Sequence, residues 1–134
     1  MALSEQDLLA KVPTGLYIGG KWVNGSGNLI QVEDPATGKT LLEIANASAE
    51  DGLAALASAD ETQAAWAKVP PRERAELLRR TFELVRERSE EFATLISLEM
   101  GKPIAEARGE VTYGNEFLRW FSEEAVRISG RFGT

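Results

Sequence analysis

The stretch Ala107-Arg-Gly109-Glu-Val111-Thr-Tyr113-Gly-Asn-Glu-Phe117-Leu-Arg-Trp120-Phe121 carries two apolar patterns at once. Ala107, Val111, Gly114, Leu118, Phe121, Ala125 and Ile128 are spaced by alternating fours and threes. That spacing lines one seam of a helix that starts near Ile104 and stops at Gly130. Tyr113, Phe117 and Trp120 each stand one residue before a seam position, so they form a second stripe roughly 100° round the helix. A helix apolar on two faces needs two coverings. The helices before it supply one. An aromatic stripe left over is either ordinary core or a face that awaits further polypeptide or ligand.

Working back along the chain, Leu78, Phe82 and Val85 recur at helical spacing after Pro70-Pro71, and Phe92 and Ile96 continue the pattern. Leu77, Leu84, Leu95 and Leu98 run alongside. Gly101 and Pro103 stop this helix, glycine as a cap and proline as a residue that cannot continue it. Before it, Ser48 and Asp51 resemble a capping box. Leu53, Leu56, Ala57, Ala64 and Ala67 then fall on one stripe of a helix running to about Lys68.

The beginning of the chain reads differently. Ser4 to Lys11 suits a short helix capped by Ser4, with Asp7 three residues on, and Pro13-Thr-Gly15 ends it. Tyr17-Ile-Gly-Gly-Lys-Trp-Val23 reads as a strand with a Gly-Gly bend. Asn24-Gly-Ser-Gly27 is turn chemistry, and Asn28 to Val32 reads as the return strand of a hairpin. Asp34-Pro-Ala-Thr-Gly38 is a tight turn, and Thr40 to Ile44 a third short strand. The expected class is therefore α/β, α+β within this segment: a β-hairpin and short strands followed by three long helices. The expected organisation is 1–16 helix and linker, 17–45 strands, and 46–134 helical scaffold.

Composition narrows the chemistry. The chain has 134 residues, 43% of them hydrophobic and 27% charged, enough for a core and too apolar for a disordered polymer. Its net charge of −6 repels phosphate backbones and argues against nucleic acid as a partner. No apolar run approaches a membrane span, and Met1 to Asp7 lacks the basic and apolar regions of a secretory signal, so a cytoplasmic location is expected. There is no cysteine and no histidine, which excludes disulfides, thiolate nucleophiles, Cys/His zinc sites and Ser-His-Asp triads.

Three motifs invite a stronger interpretation than their surroundings allow. Thr37-Gly-Lys-Thr40 resembles the end of a P-loop, but the glycine required five positions before Gly38 is Glu33, whose carboxylate would repel a phosphate. It reads as a turn. The Arg/Glu-rich stretch from Arg72 to Glu91 places opposite charges three and four apart, as a solvated helix face does. Glu90, Glu91, Glu99 and Glu106 are carboxylates without an evident partner to tune them for acid–base work, and they read as surface groups.

Taken in order, Tyr17-Ile-Gly-Gly-Lys-Trp-Val23, Asp34-Pro-Ala-Thr-Gly38, Ala64-Ala-Trp-Ala67 before Pro70-Pro-Arg-Glu-Arg74, and Leu98-Glu-Met-Gly-Lys-Pro103 resemble the N-terminal region of the aldehyde dehydrogenase superfamily. The resemblance covers Leu16 to Thr134. Ala105 to Val111, Tyr113 and Phe117 to Glu124 look most like its succinate-semialdehyde branch.

The resemblance implies a large NAD- or NADP-dependent enzyme with a Rossmann-like cofactor domain, a catalytic domain and a β-arm, assembling as a homo-oligomer when complete. In that family a cysteine attacks the aldehyde, hydride leaves to the nicotinamide, and a glutamate-activated water releases the acid. The catalytic and cofactor-binding residues have no counterpart in this chain, which alone is expected to oxidise no aldehyde and to expose apolar surface. Gly109, Tyr113 and Phe117 match positions that border the family's aldehyde tunnel. The Val32 backbone and Glu99 match a monovalent-cation site of some members, where hard oxygen donors suit Na⁺ or K⁺. The expected partners are a small aldehyde and the remainder of the enzyme. The rival is a non-catalytic helical interaction module that pairs with a partner chain.

Overall fold

The computed structural model describes residues 4–127. Ile128, Gly130 and the expected turn over 130–134 lie outside the described residues. The elements are α1 (Glu5–Leu9), β1 (Leu16–Ile18), β2 (Lys21–Val23), β3 (Ile30–Asp34), β4 (Lys39–Ile44), α2 (Ala49–Trp66), α3 (Pro71–Glu87), α4 (Ser89–Met100) and α5 (Ile104–Glu124). Contacts divide them into two compact units. The first holds the described residues up to Ala67 together with Leu95–Gly101; the second holds Lys68–Thr94 and the described residues from Lys102 onward.

In the first unit, α1 begins as expected: the Ser4 hydroxyl accepts from the Asp7 amide at 3.1 Å. The strands pair otherwise than their order suggests. β1 pairs with β2 and β3 with β4, both antiparallel, in separate two-stranded sheets. The expected hairpin between Tyr17–Val23 and Asn28–Val32 is absent. Its Gly-Gly bend is itself a hairpin turn, with Gly19 and Gly20 at φ 61° and 77°. Two consecutive positive φ values give the turn whose twist matches the flanking strands, and only glycine adopts them without penalty. The Asp34–Gly38 turn closes β3 onto β4: the Gly38 amide donates to the Asp34 carbonyl at 2.8 Å, at φ 67°. That places Thr37-Gly-Lys in a hairpin and not in a phosphate cradle.

The Asn24–Gly27 segment is used differently. Ser26 donates to the Asp51 carboxylate through its amide at 2.9 Å and its hydroxyl at 2.7 Å. The Ser48 amide donates to the same oxygen at 2.9 Å, completing the capping box at the start of α2. These hydrogen bonds hold the Asp51 carboxyl down at about 2, from 3.8, the Ser26 amide contributing most. A carboxylate depressed in the fold stabilises it above the ordinary carboxylate range, and that contribution disappears as pH falls towards about 2. Urea midpoints at pH 7 and near pH 2.5 should therefore converge for Asp51→Asn relative to the parent. An unchanged acid loss in the variant would assign the effect elsewhere.

The apolar stripe expected along α2 is not its buried face. Leu53 and Leu56 are exposed, and the helix turns Asp51, Ala55 and Ser58 inward. Small side chains allow this close approach: an added Cβ at Gly19 would sit 3.6 Å from the Ser58 hydroxyl.

In the second unit α3 packs on α5. α3 buries Ala75 and Phe82, with Leu78 and Val85 half-buried, as the spacing predicts. The guanidinium groups of Arg79 and Arg86 lie 5.8 and 5.5 Å from the Phe82 ring centre. The single helix expected from Pro71 to Met100 is two, α3 and α4, because Arg88 adopts φ −106°, ψ 18° and interrupts the ladder. The Arg/Glu face is a solvated one, with exposed pairs such as Arg79–Glu83 at 3.0 Å, which add little to stability because water screens them.

Candidate functional site

α5 starts immediately after Pro103, whose fixed φ suits a helix start. Its buried face is Ala107, Val111, Asn115 and Ser122, with Leu118 and Ala125 half-buried. The expected seam holds at Ala107, Val111, Leu118 and Ala125. It fails at Gly114 and Phe121, which are exposed, while the polar neighbours Asn115 and Ser122 turn inward. Steps of four from Ala107 to Asn115 rotate the face gradually, and residue type alone hides this because glycine counts as apolar and asparagine does not. Asn115 is 7% exposed and donates from Nδ2 to the Phe82 carbonyl at 3.1 Å. Its Oδ1 meets no donor among the described residues.

The opposite face is aromatic. Tyr113, Phe117, Trp120 and Phe121 are 70, 46, 63 and 54% exposed. With Glu116 they line an open cavity of about 350 Å³. Tyr113 and Phe117 meet edge to face, their ring centres 5.1 Å apart and their planes at 89°. Gly109, one turn earlier, is not among the lining residues; a Cβ there would meet nothing within 4 Å. Glu116 pairs with Arg119 at 2.5 Å. The sequence pattern missed Glu116 and Phe121: one is polar by type, and the other was counted with the seam.

Val32 and Glu99 border one cavity of about 230 Å³ in the first unit, whose other walls include Leu42, Ile44, Leu95 and Leu98. The β3–β4 register slips between Val32 and Glu33. A bulge of this kind leaves backbone groups out of the ladder. The donors are thus one carboxylate and one backbone carbonyl, a small part of a Na⁺ or K⁺ shell. Among the described residues no three acidic, histidine or cysteine groups cluster as metal ligands.

Two further carboxylates near these elements, Glu90 and Glu110, sit in ion pairs. Glu90 receives Arg108 twice, Nε to Oε1 at 3.0 Å and Nη2 to Oε2 at 2.9 Å, and this pairing holds its carboxyl below the usual range. A carboxylate kept ionised so firmly is a poor proton shuttle near neutral pH. Glu110 pairs with Lys102. Among the described residues no helix is long and apolar enough to cross a membrane.

Residues 22–134 match the model of the aldehyde dehydrogenase family. This chain belongs to that family. It is 62% identical over 94 residues to a succinate-semialdehyde dehydrogenase of Paenarthrobacter nicotinovorans, covering 70% of this chain and 21% of that protein. It is 42% identical over 115 residues to a glutarate-semialdehyde dehydrogenase of Pseudomonas aeruginosa, covering 85% and 24%. The crystal structure of succinate-semialdehyde dehydrogenase from Burkholderia pseudomallei superposes with a TM-score of 0.82 at 38% identity, covering 88% of this aldehyde dehydrogenase chain and 25% of that one. The chain thus spans between a fifth and a quarter of the length of these relatives. Mixed helices and short strand pairs are what this family's fold places here, so the expected class stands.

Proposed function

We propose that this chain forms one wall of the substrate path in an NAD- or NADP-dependent aldehyde dehydrogenase that oxidises succinate semialdehyde to the acid. The exposed aromatic face of α5 carries the proposal: Tyr113 and Phe117 meet edge to face at an open cavity, and the proposed path continues past Gly109, where an added Cβ would meet nothing within 4 Å. The semialdehyde substrates named for the relatives support the chemical class. The nucleophile comes from elsewhere, because this chain has no cysteine. Of its own residues none is assigned to the cofactor, which would supply the hydride acceptor when bound. The assembly proposed is an oligomer of complete enzymes. Val32 and Glu99 are proposed to give two oxygens to a monovalent cation.

The test uses the complete enzyme that contains this segment. Melting temperature and kcat/KM are measured for aldehydes of increasing chain length in Tyr113→Ala and Phe117→Ala. A residue bordering substrate shifts the chain-length profile by about tenfold or more between short and long aldehydes. A core aromatic instead loses roughly 3–5 kcal/mol of stability and leaves the profile flat. The second outcome sinks the assignment.

A further inference from the structure

Among the described residues, Glu116 is the only charged side chain lining the aromatic cavity of α5. It stands between Tyr113 and Phe117 in sequence, among rings that raise the local cost of an unpaired charge. Its carboxylate is not unpaired: Arg119, one turn on, meets it at 2.5 Å. Both side chains are about half exposed, 47% for Glu116 and 51% for Arg119, so the pair adds little to stability. Its effect on a passing charge is larger than its effect on folding. A bare carboxylate at the wall repels an anion in the cavity, and a guanidinium against it cancels most of that field at distances beyond the pair.

We propose that Glu116 and Arg119 form a charge gate on this cavity, in which Arg119 masks Glu116 and so admits an aldehyde bearing a carboxylate. The inference rests on the substrate path proposed above and adds a pair of specificity-determining residues to it. It predicts an effect on anionic aldehydes alone. Removing Arg119 uncovers a negative charge beside the path. Removing Glu116 uncovers a positive one. Removing both restores neutrality.

The experiment compares succinate semialdehyde with a neutral aldehyde of the same chain length in the complete enzyme, at low and high salt. Arg119→Gln should raise KM for the anionic aldehyde about fivefold at low salt, with the neutral one unchanged, since one unit charge is uncovered roughly 10 Å from another in a partly wet site. Glu116→Gln should lower it by a similar factor. The double variant should return to the parent ratio, and high salt should shrink each effect. Equal anionic-to-neutral ratios in the parent and both single variants overturn the gate. Phe117→Ala separates the two ideas: a shifted chain-length profile with unchanged charge ratios removes the gate alone, whereas a flat profile removes the path and the gate with it. Unchanged melting temperatures in the charge variants exclude misfolding as the cause.

Discussion

Gly25→Ala should destabilise the first unit by about 3 kcal/mol or more. A Cβ at Gly25 would lie 2.2 Å from the Asn46 carbonyl oxygen, 3.1 Å from its carbon and 3.3 Å from the Ala45 Cβ. Neither side has room to retreat. The Asn46 carbonyl also accepts from the Gly27 amide at 3.2 Å, and the Ala45 amide donates to Thr14 at 2.7 Å. Ser26, between the two glycines, is tied to Asp51 through both its amide and its hydroxyl. Relief of the clash therefore requires the loop to leave the start of α2 and abandon those bonds. Gly52→Ala is the control. It sits in α2 with nothing within 4 Å of an added Cβ, and should be more stable by roughly 0.5–1 kcal/mol, the usual gain of alanine over glycine in a helix. Urea denaturation with a common slope measures both. A Gly25→Ala midpoint close to that of the parent would show that the loop is not held as described.

Asn115→Asp should cost about 3–5 kcal/mol near neutral pH, because it leaves a buried charge with no cationic partner. The position is 7% exposed, and the group that now donates to the Phe82 carbonyl would become an oxygen facing an oxygen. The penalty has a definite pH signature. Burial raises the folded-state pKa of the new carboxyl, so the protonated form, which can donate to Phe82, is favoured at low pH. Relative stability is then greatest below the ordinary carboxylate range and falls as pH rises through it and beyond. Asn115→Leu tests the same site from the other side. It removes Oδ1, which has no donor among the described residues, and leaves Phe82 its place in the helix, so stability should be equal or up to roughly 1 kcal/mol higher. Thermal melts of both variants from pH 4 to pH 8 decide. A pH-independent loss in Asn115→Asp would mean that the site is wet.

Local signals were legible in the sequence and distant ones were not. Ser4 with Asp7, and Ser48 with Asp51, bond within one helical turn, and both caps form where the residue types place them. Gly101 is a cap at φ 67°, again a local matter, although what makes it irreplaceable, Pro35 at 2.9 Å from an added Cβ, lies far off in the chain. Gly25 and Gly27 read as turn residues, yet their glycine character is dictated by Asn46, about twenty positions away. Strand pairing failed for a related reason: two turns compete for Lys21–Val23, and backbone sign at Gly19-Gly20 decides between them. On α5 the aromatic stripe was visible from spacing, but Glu116 within it and Asn115 opposite it were not, since polarity by type says nothing about which way a helix is rolled.

Gly101 and Pro35 are close in space and distant in sequence, and the first unit takes Leu95–Gly101 as part of itself. A ribosome makes this chain from one end. Residues up to Ala67 leave the exit tunnel long before Gly101 does, at roughly 5–20 residues per second. For several seconds the nascent strands stand without the end of α4 that completes their fold. Closing that long loop is entropically slow compared with making α2 or α3, whose contacts are local. The order of birth thus differs from the order of completion: helices first, and the oldest residues among the last to settle.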